Sequence, residues 1–398
     1  MNRGFSEILD QLERTGSLRV LQPLANREGC RVVWQGRTML NLTSNDYLGI
    51  AGSKELQQRF YAGMQYGNIL EKYGLGSASS RLLSGDCEPL HALEEALVNA
   101  YGLPAALFFN SGYHANIGIL PALLDKRDLI VSDKLNHASI HDGLRLSAAE
   151  HKRYRHSDYA HLESVLQASR HRYERAVIVS ESVFSMDGDV ADLSELVRIK
   201  EKYGCLLYID EAHAIGLYGK KGLGIAEEQG VLEKVDLLVG PFGKACASIG
   251  SFVLCSREIR SYLINHSRSL IFTTALPPVI ASWNLFVFSM LAEMEQERSH
   301  LRALSEQLRQ GLVANGLKTT GTTNIVPVRI GDNAKTVEAA RRMQELGYLI
   351  LPVRPPTVPE GTARFRLSLT ADMHWSDLEP LAGRIADCLT AIEADGGQ

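Results

Sequence analysis

The sequence predicts an α/β protein with a large domain built on a mainly parallel sheet, helices on both faces, and a smaller C-terminal α/β domain. Three observations predict it. Near-continuous apolar, β-branched runs recur along the first two thirds of the chain, amphipathic stretches alternate with them, and the pattern changes after about Phe286.

The apolar runs are Ala105–Asn110, Asp128–Asp133, Arg175–Ser180, Cys205–Asp210, Val235–Gly240 and Ser251–Cys255. Runs without polar alternation suit strands covered on both faces. Between them, Glu88–Gly102 places Leu90, Leu93, Leu97 and Val98 on one helical face, and Gly102 marks its end. Strands alternating with helices imply parallel neighbours, and ligands of such sheets sit at the carboxyl ends of the strands. Beyond Phe286 we expect a long helix to about Asn315, a strand over Asn324–Ile330, a helix over Asn333–Leu346, a strand over Ala363–Leu369 and a final helix. The expected division is an N-terminal arm over residues 1–50, a large domain over 51–285 and a small domain over 286–398.

The 398 residues suffice for two cores, and 45% hydrophobic with 22% charged residues is ordinary for a globular protein. A net charge of −4 gives no general attraction to nucleic acid or to an anionic membrane. The six cysteines show no CxxC pair, which argues against a disulfide framework or zinc site and suits a reducing cytoplasm. Met1–Leu24 has no apolar h-region, so no signal peptide is expected, and the run Ile280–Leu291 is broken by Trp283, Asn284 and Ser289, as in a buried helix.

The strand ends carry the chemistry. Ser111–Gly112–Tyr113 precedes a helical stretch, where backbone N–H groups and a helix N-terminus can cradle a phosphate, although Ser-Gly turns are common. His137 follows the next strand, and alone it reads first as a structural or surface residue. The run ESVFSMDGD (Glu181–Asp189) is a polar loop after a buried strand. Asp210 and His213 can face one site, or Asp210 can cap a helix. Lys244 sits in a glycine-containing loop at a strand end. There it is either solvated or, where burial removes its proton, an amine able to form a Schiff base.

Taken together, SNDYLG, SGYHAN, NHAS, ESVFSMDGD, DEAHAIG and FGKA, in this order from about Leu40 to Leu369, resemble the α-oxoamine synthases, fold-type I pyridoxal-phosphate enzymes. The resemblance implies pyridoxal 5′-phosphate as cofactor, no metal, and a set of roles. Lys244 would form the Schiff base and Asp210 would bind the pyridinium nitrogen. His213 and Ser185 would contact the ring hydroxyl, and His137 would stack on the ring and hydrogen-bond developing charge on the substrate. Ser111, Gly112 and Tyr113 would hold the phosphate, with Thr273 and Thr274 (in IFTTALPP) reaching that of the neighbouring subunit. Asn45 and Arg366 would bind the amino-acid carboxylate. Where the family usually has threonine before F-G-K, this chain has Pro241, which supplies neither hydroxyl nor N–H.

The segment RPPTVPEGTARFRLSLT (Arg354–Thr370) resembles the branch that condenses L-alanine with a pimeloyl thioester, on coenzyme A or acyl carrier protein, in biotin synthesis. By that resemblance Arg19 and Thr357 would line the acyl side. The rivals are the branch that joins glycine to acetyl-CoA, or another α-oxoamine synthase, and, from another class, a catalytically silent partner subunit. A cytoplasmic homodimer is implied, with no nucleic-acid or membrane partner.

Overall fold

The computed structural model describes residues 4–14, 18–64 and 69–396, so parts of the N-terminal segment expected to lack a signal peptide lie outside the described residues. The chain forms two compact units. The larger comprises Asn45–Ser185 and Asp189–Ser299, and the smaller comprises Met1–Ser44, Met186–Gly188 and His300–Gln398.

The larger unit is built on a seven-stranded sheet in the order Ala105–Phe109, Ser251–Cys255, Leu237–Pro241, Leu206–Asp210, Ala176–Glu181, Leu129–Asp133, Glu150–Tyr154. Ser251–Cys255 runs antiparallel to both neighbours and all other pairings are parallel. Every expected strand is present. The central ones are buried along almost their whole length, as their unbroken apolar runs require. Their common direction brings Asn110, Asp133, Glu181, Asp210 and Pro241 to the carboxyl edge of the sheet. The edge strand Glu150–Tyr154 was not foreseen: its sequence, EHKRY, is polar because one edge and face are wet.

The expected single helix from Phe286 to Asn315 is interrupted. A helix over Pro278–Met290 gives way to a 3₁₀ turn at Leu291–Glu293, and a new helix runs over Glu295–Ala314. At the break, the buried Arg298 guanidinium donates to the Leu291 carbonyl at 2.5 Å, beside the N–H of Met294.

In the smaller unit, the strands Ala25–Glu28, Arg31–Trp34 and Arg37–Asn41 form a meander to which Tyr348–Leu349 adds in parallel. The meander was not foreseen, since its strands are short. Its two-residue turn, Gln35–Gly36 with φ of 48° and 76°, lacks the usual Asn-Gly signature. A second sheet joins Ile325–Gly331, Ala363–Ser368 and Pro352–Val353 antiparallel. Among the described residues no helix is long and apolar enough to cross a membrane.

Two local features fix the carboxyl edge. The helices Gly112–Leu123 and Ala138–Leu146 approach so closely that a Cβ on Gly143 would lie 2.3 Å from the Asn116 carbonyl oxygen. The second feature is His156, whose Nδ1 lies 3.0 Å from Asp133 and Nε2 2.8 Å from Asp189, with the Phe184 ring edge-on at 4.4 Å. Burial works against its charge, yet the two aspartate bonds push it up to about 10. A charged His156 therefore ties the loop that ends at Asp189 to the end of the Leu129–Asp133 strand.

Two outcomes follow. Gly to Ala inside a helix ordinarily stabilises by up to about 1 kcal/mol. Gly143→Ala should instead destabilise by about 1–3 kcal/mol, because backbone must move, and denaturant unfolding measures the sign. For His156, a folded value above the ordinary 6.5 means its stabilisation is complete below about pH 6.5 and is lost as pH rises to about 10. His156→Gln should cost about 3 kcal/mol at pH 6, and urea midpoints of parent and variant should converge by pH 10.

Candidate active site

The turn after Leu237–Pro241 carries Lys244. Phe242 N–H donates to Gly250 O at 2.9 Å, Ser248 N–H to Phe242 O at 3.0 Å, and Ala247 N–H to Lys244 O at 2.8 Å. These bonds close the turn and leave Lys244 half-buried, with Nζ 2.9 Å from His213 Nε2. The other ring nitrogen of His213 lies 2.7 Å from the hydroxyl of Tyr47, which donates to Asn45 Oδ1 at 3.0 Å. Asn45, His213 and Lys244 are thus joined through Tyr47. Its ring is fully buried. Tyr47 was passed over in the sequence because an aromatic beside Leu48 reads as core, although it stands inside the SNDYLG motif.

At the adjacent strand end, Asp210 is 3% exposed. Its Oδ1 accepts Ala212 N–H at 3.0 Å and its Oδ2 accepts the side-chain amide of Asn116 at 2.9 Å. The same amide nitrogen donates to Ser139 Oγ at 2.9 Å, while the Tyr208 hydroxyl donates to Asn116 Oδ1. Ser139 Oγ lies 2.7 Å from His137 Nδ1. Asp210 and His137 are therefore linked through Asn116 and Ser139, neither of which the sequence reading singled out. Partial burial, and then the charge of Lys244, lower His137 below its usual value. Glu181, paired with Asp210 across the ladder, is fully buried and accepts His137 N–H at 2.5 Å. Burial and the neighbouring Asp210 push it up to about 8.

At the end of Ala105–Phe109, Ser111 caps the helix Gly112–Leu123 by accepting His114 N–H at 3.2 Å. The amides of Gly112 and Tyr113 lie in its first turn, ahead of the first intrahelical donor, Ala115 N–H to Ser111 O. Pro241 packs directly on this turn, because a Cβ on Gly112 would meet its Cγ at 2.8 Å. Asn110 Nδ2 donates to Thr273 Oγ1 at 3.2 Å and Thr274 O at 2.7 Å, which holds both threonines beside this strand end within one chain. Ser185 is half-buried in the loop between Glu181 and Asp189.

Arg19, Thr357 and Arg366 belong to the smaller unit. Arg19 Nη2 donates to Thr357 Oγ1 at 3.2 Å across 338 positions of sequence. Thr357 N–H in turn bonds Arg354 O at 3.0 Å. Burial and the like charge of Arg19 lower Arg354 below its usual value. Arg354 opens the quoted RPPT segment, but its place beside Arg19 is invisible in the sequence. Arg366, on the strand Ala363–Ser368, donates to Ser368 Oγ at 2.6 Å.

Residues 37–385 match the aminotransferase class I and II family. The 8-amino-7-oxononanoate synthase of Chlorobaculum parvum is 49% identical over 94% of this chain and 95% of its own length. That of Haemophilus ducreyi is 47% identical over 95% and 98%. A serine palmitoyltransferase from S. paucimobilis, solved with a bound PLP–myriocin aldimine, superposes with a TM-score of 0.89 at 27% identity, covering 98% of this chain and 97% of that one. The chain belongs to the class I and II aminotransferase family and, within it, to the α-oxoamine synthase group.

Proposed function

We propose that this chain condenses L-alanine with a pimeloyl thioester, releasing carbon dioxide and the free thiol carrier, to give 8-amino-7-oxononanoate for biotin biosynthesis. Its cofactor is pyridoxal 5′-phosphate. The observation that carries the reading is Lys244 Nζ beside His213 at one strand end, with the bonded carboxylate of Asp210 at the next.

The donor set fits that cofactor. Lys244 supplies an amine, Asp210 a carboxylate with lone pairs still open for a ring N–H, and Ser111, Gly112 and Tyr113 the donors of a helix N-terminus. When bound, the cofactor supplies an electron sink for the pair left as a bond to the amino acid's α-carbon breaks. The rest falls to side chains of this chain. Asp210 would hold a proton on the ring nitrogen, and His213 and Ser185 would orient the ring hydroxyl. Lys244 Nζ takes the α-proton of alanine as general base, with His213 holding the amine in place. Asn45 and Arg366 grip the alanine carboxylate, the arginine by its two-pronged donor geometry. Thr273 and Thr274 would add hydroxyls at the phosphate of the neighbouring subunit.

For the acyl partner, Arg19 and Thr357 gain Arg354. Two guanidinium groups whose like charges oppose each other are relieved by a shared anion, and the free carboxylate of a pimeloyl chain is such an anion. Either coenzyme A or acyl carrier protein can deliver it. A homodimer in the cytoplasm completes the proposal.

The reading is tested with L-alanine and pimeloyl-CoA, by following carbon dioxide and the mass of the amino ketone. A chain that instead joins glycine to acetyl-CoA without releasing carbon dioxide would overturn it. In Lys244→Ala, borohydride treatment should leave no pyridoxyl group on the chain and turnover should vanish, while the parent is tagged at Lys244 by mass spectrometry. Arg19→Ala should raise KM for pimeloyl-CoA about tenfold or more, through loss of a charge-assisted contact, with KM for alanine unchanged. Steady-state kinetics with each substrate varied separates the two.

A further inference from the structure

We propose that Asn116 is a positioning residue that locks His137 in the tautomer carrying its proton on Nε2, while the same amide holds the Asp210 carboxylate. The proposal rests on the assignment of Lys244, Asp210 and His137 given above.

The direction of every bond in the network follows from two groups that have no choice. A carboxylate accepts, so the Asn116 atom facing Asp210 Oδ2 at 2.9 Å is its NH₂ group. The oxygen of Asn116 then faces Tyr208, whose hydroxyl donates to it. The second hydrogen of the NH₂ group goes to Ser139 Oγ, again at 2.9 Å. Ser139 Oγ therefore accepts from Asn116 and has its own hydrogen free for His137 Nδ1 at 2.7 Å. The backbone N–H of Ser139, which can only donate, points at the same Nδ1 at 3.2 Å. Two donors converge on Nδ1, so it carries a lone pair and the proton of the neutral ring resides on Nε2.

Rigidity comes from burial and close packing. Asn116 and Ser139 are each 1% exposed. Their helices touch at Gly143, where no side chain fits against the Asn116 backbone. Protonating Nδ1 would turn an acceptor into a third donor facing two others.

The consequence for the reaction is a division of labour. A ring locked in this way offers one N–H and no basic nitrogen. His137 can donate a hydrogen bond to charge developing on a substrate oxygen, but it cannot take the α-proton, which leaves that step to Lys244. Because one amide serves both Asp210 and His137, loosening it perturbs both.

The test is two-bond ¹H–¹⁵N spectroscopy of the full-length chain labelled at histidine, with and without pyridoxal phosphate, from pH 6 to 9. The His137 signals are identified by their loss in His137→Gln. In the parent, Nδ1 should show the shift of an unprotonated nitrogen and Nε2 that of a protonated one, with cofactor or without. In Asn116→Ala and in Ser139→Ala, the two shifts should move toward the average of mixed tautomers. Exchange of the α-proton of L-alanine should slow by about tenfold to a hundredfold in Asn116→Ala, the loss of a bond to a charged group. KM for alanine should stay within about threefold. A protonated Nδ1 in the parent overturns the proposal, as does an Nε2–H tautomer that survives unchanged in both variants. The cofactor-free parent spectrum decides the tautomer whether or not either variant folds. A parent that exchanges no alanine proton but shows the locked tautomer would refute the functional reading and leave the Asn116 assignment standing.

Discussion

A carboxylate with 3% of its surface exposed, Asp210, is the constraint from which the rest of the site follows. An unpartnered charge at that depth would cost several kcal/mol. The backbone N–H of Ala212 and the amide of Asn116 remove that cost, and both must be delivered to one strand end. Delivering Asn116 requires the Gly112–Leu123 helix to lie close against its neighbours. That closeness explains Gly118 and Gly143, where a Cβ would lie 2.0 Å from Ser269 Oγ and 2.3 Å from the Asn116 carbonyl. The glycines are thus consequences of a buried charge placed on the neighbouring strand.

Burial acts on the carboxyl groups around it as well. Glu181 pairs with Asp210 across the ladder, and Glu211 follows it in the chain. Burial and Asp210 push Glu181 up to about 8. Burial pushes Glu211 up to about 7, although the Ser182 hydroxyl and the amides of Ile225 and Ala226 work in the other direction. Burial thus raises both neighbours, while Asp210 keeps two donors, the Ala212 N–H and the Asn116 amide, on its own oxygens.

How much of this was legible in the sequence depends on the kind of signal. Strands buried on both faces announce themselves as unbroken apolar runs, and residues at their ends are chemically conspicuous: Asp210, His213 and Lys244 each interrupt such a run with a charge or a ring nitrogen. Glu150–Tyr154 was not legible, since a wet edge strand looks like loop, and neither was the Ala25–Asn41 meander, whose strands are too short to show a period. The support around the site was the least legible part. Asn116 lies within a helix, Tyr208 within an apolar strand and Tyr47 beside Leu48, so each resembles core packing. Their roles depend on hydrogen-bond partners 92 to 166 positions away, which no local pattern encodes. Arg354 was hidden for the same reason, because its meaning lies in the proximity of Arg19.

Pro241 shows how a departure from a family pattern can be read physically. The position occupied elsewhere by a threonine faces the first turn of the Gly112–Leu123 helix, since the proline ring sits where a Gly112 side chain would be. Proline presents methylene groups to that turn. It is tolerated because the strand continues without its N–H: Ser251 lies opposite it, and the next ladder donor is Phe242 N–H to Gly250 O. On the other side of the turn, Thr273 Oγ1 accepts from Asn110, the residue immediately before Ser111. The proline ring fixes φ at the strand end that leads into the turn presenting Lys244, and so stiffens the point where that amine is held.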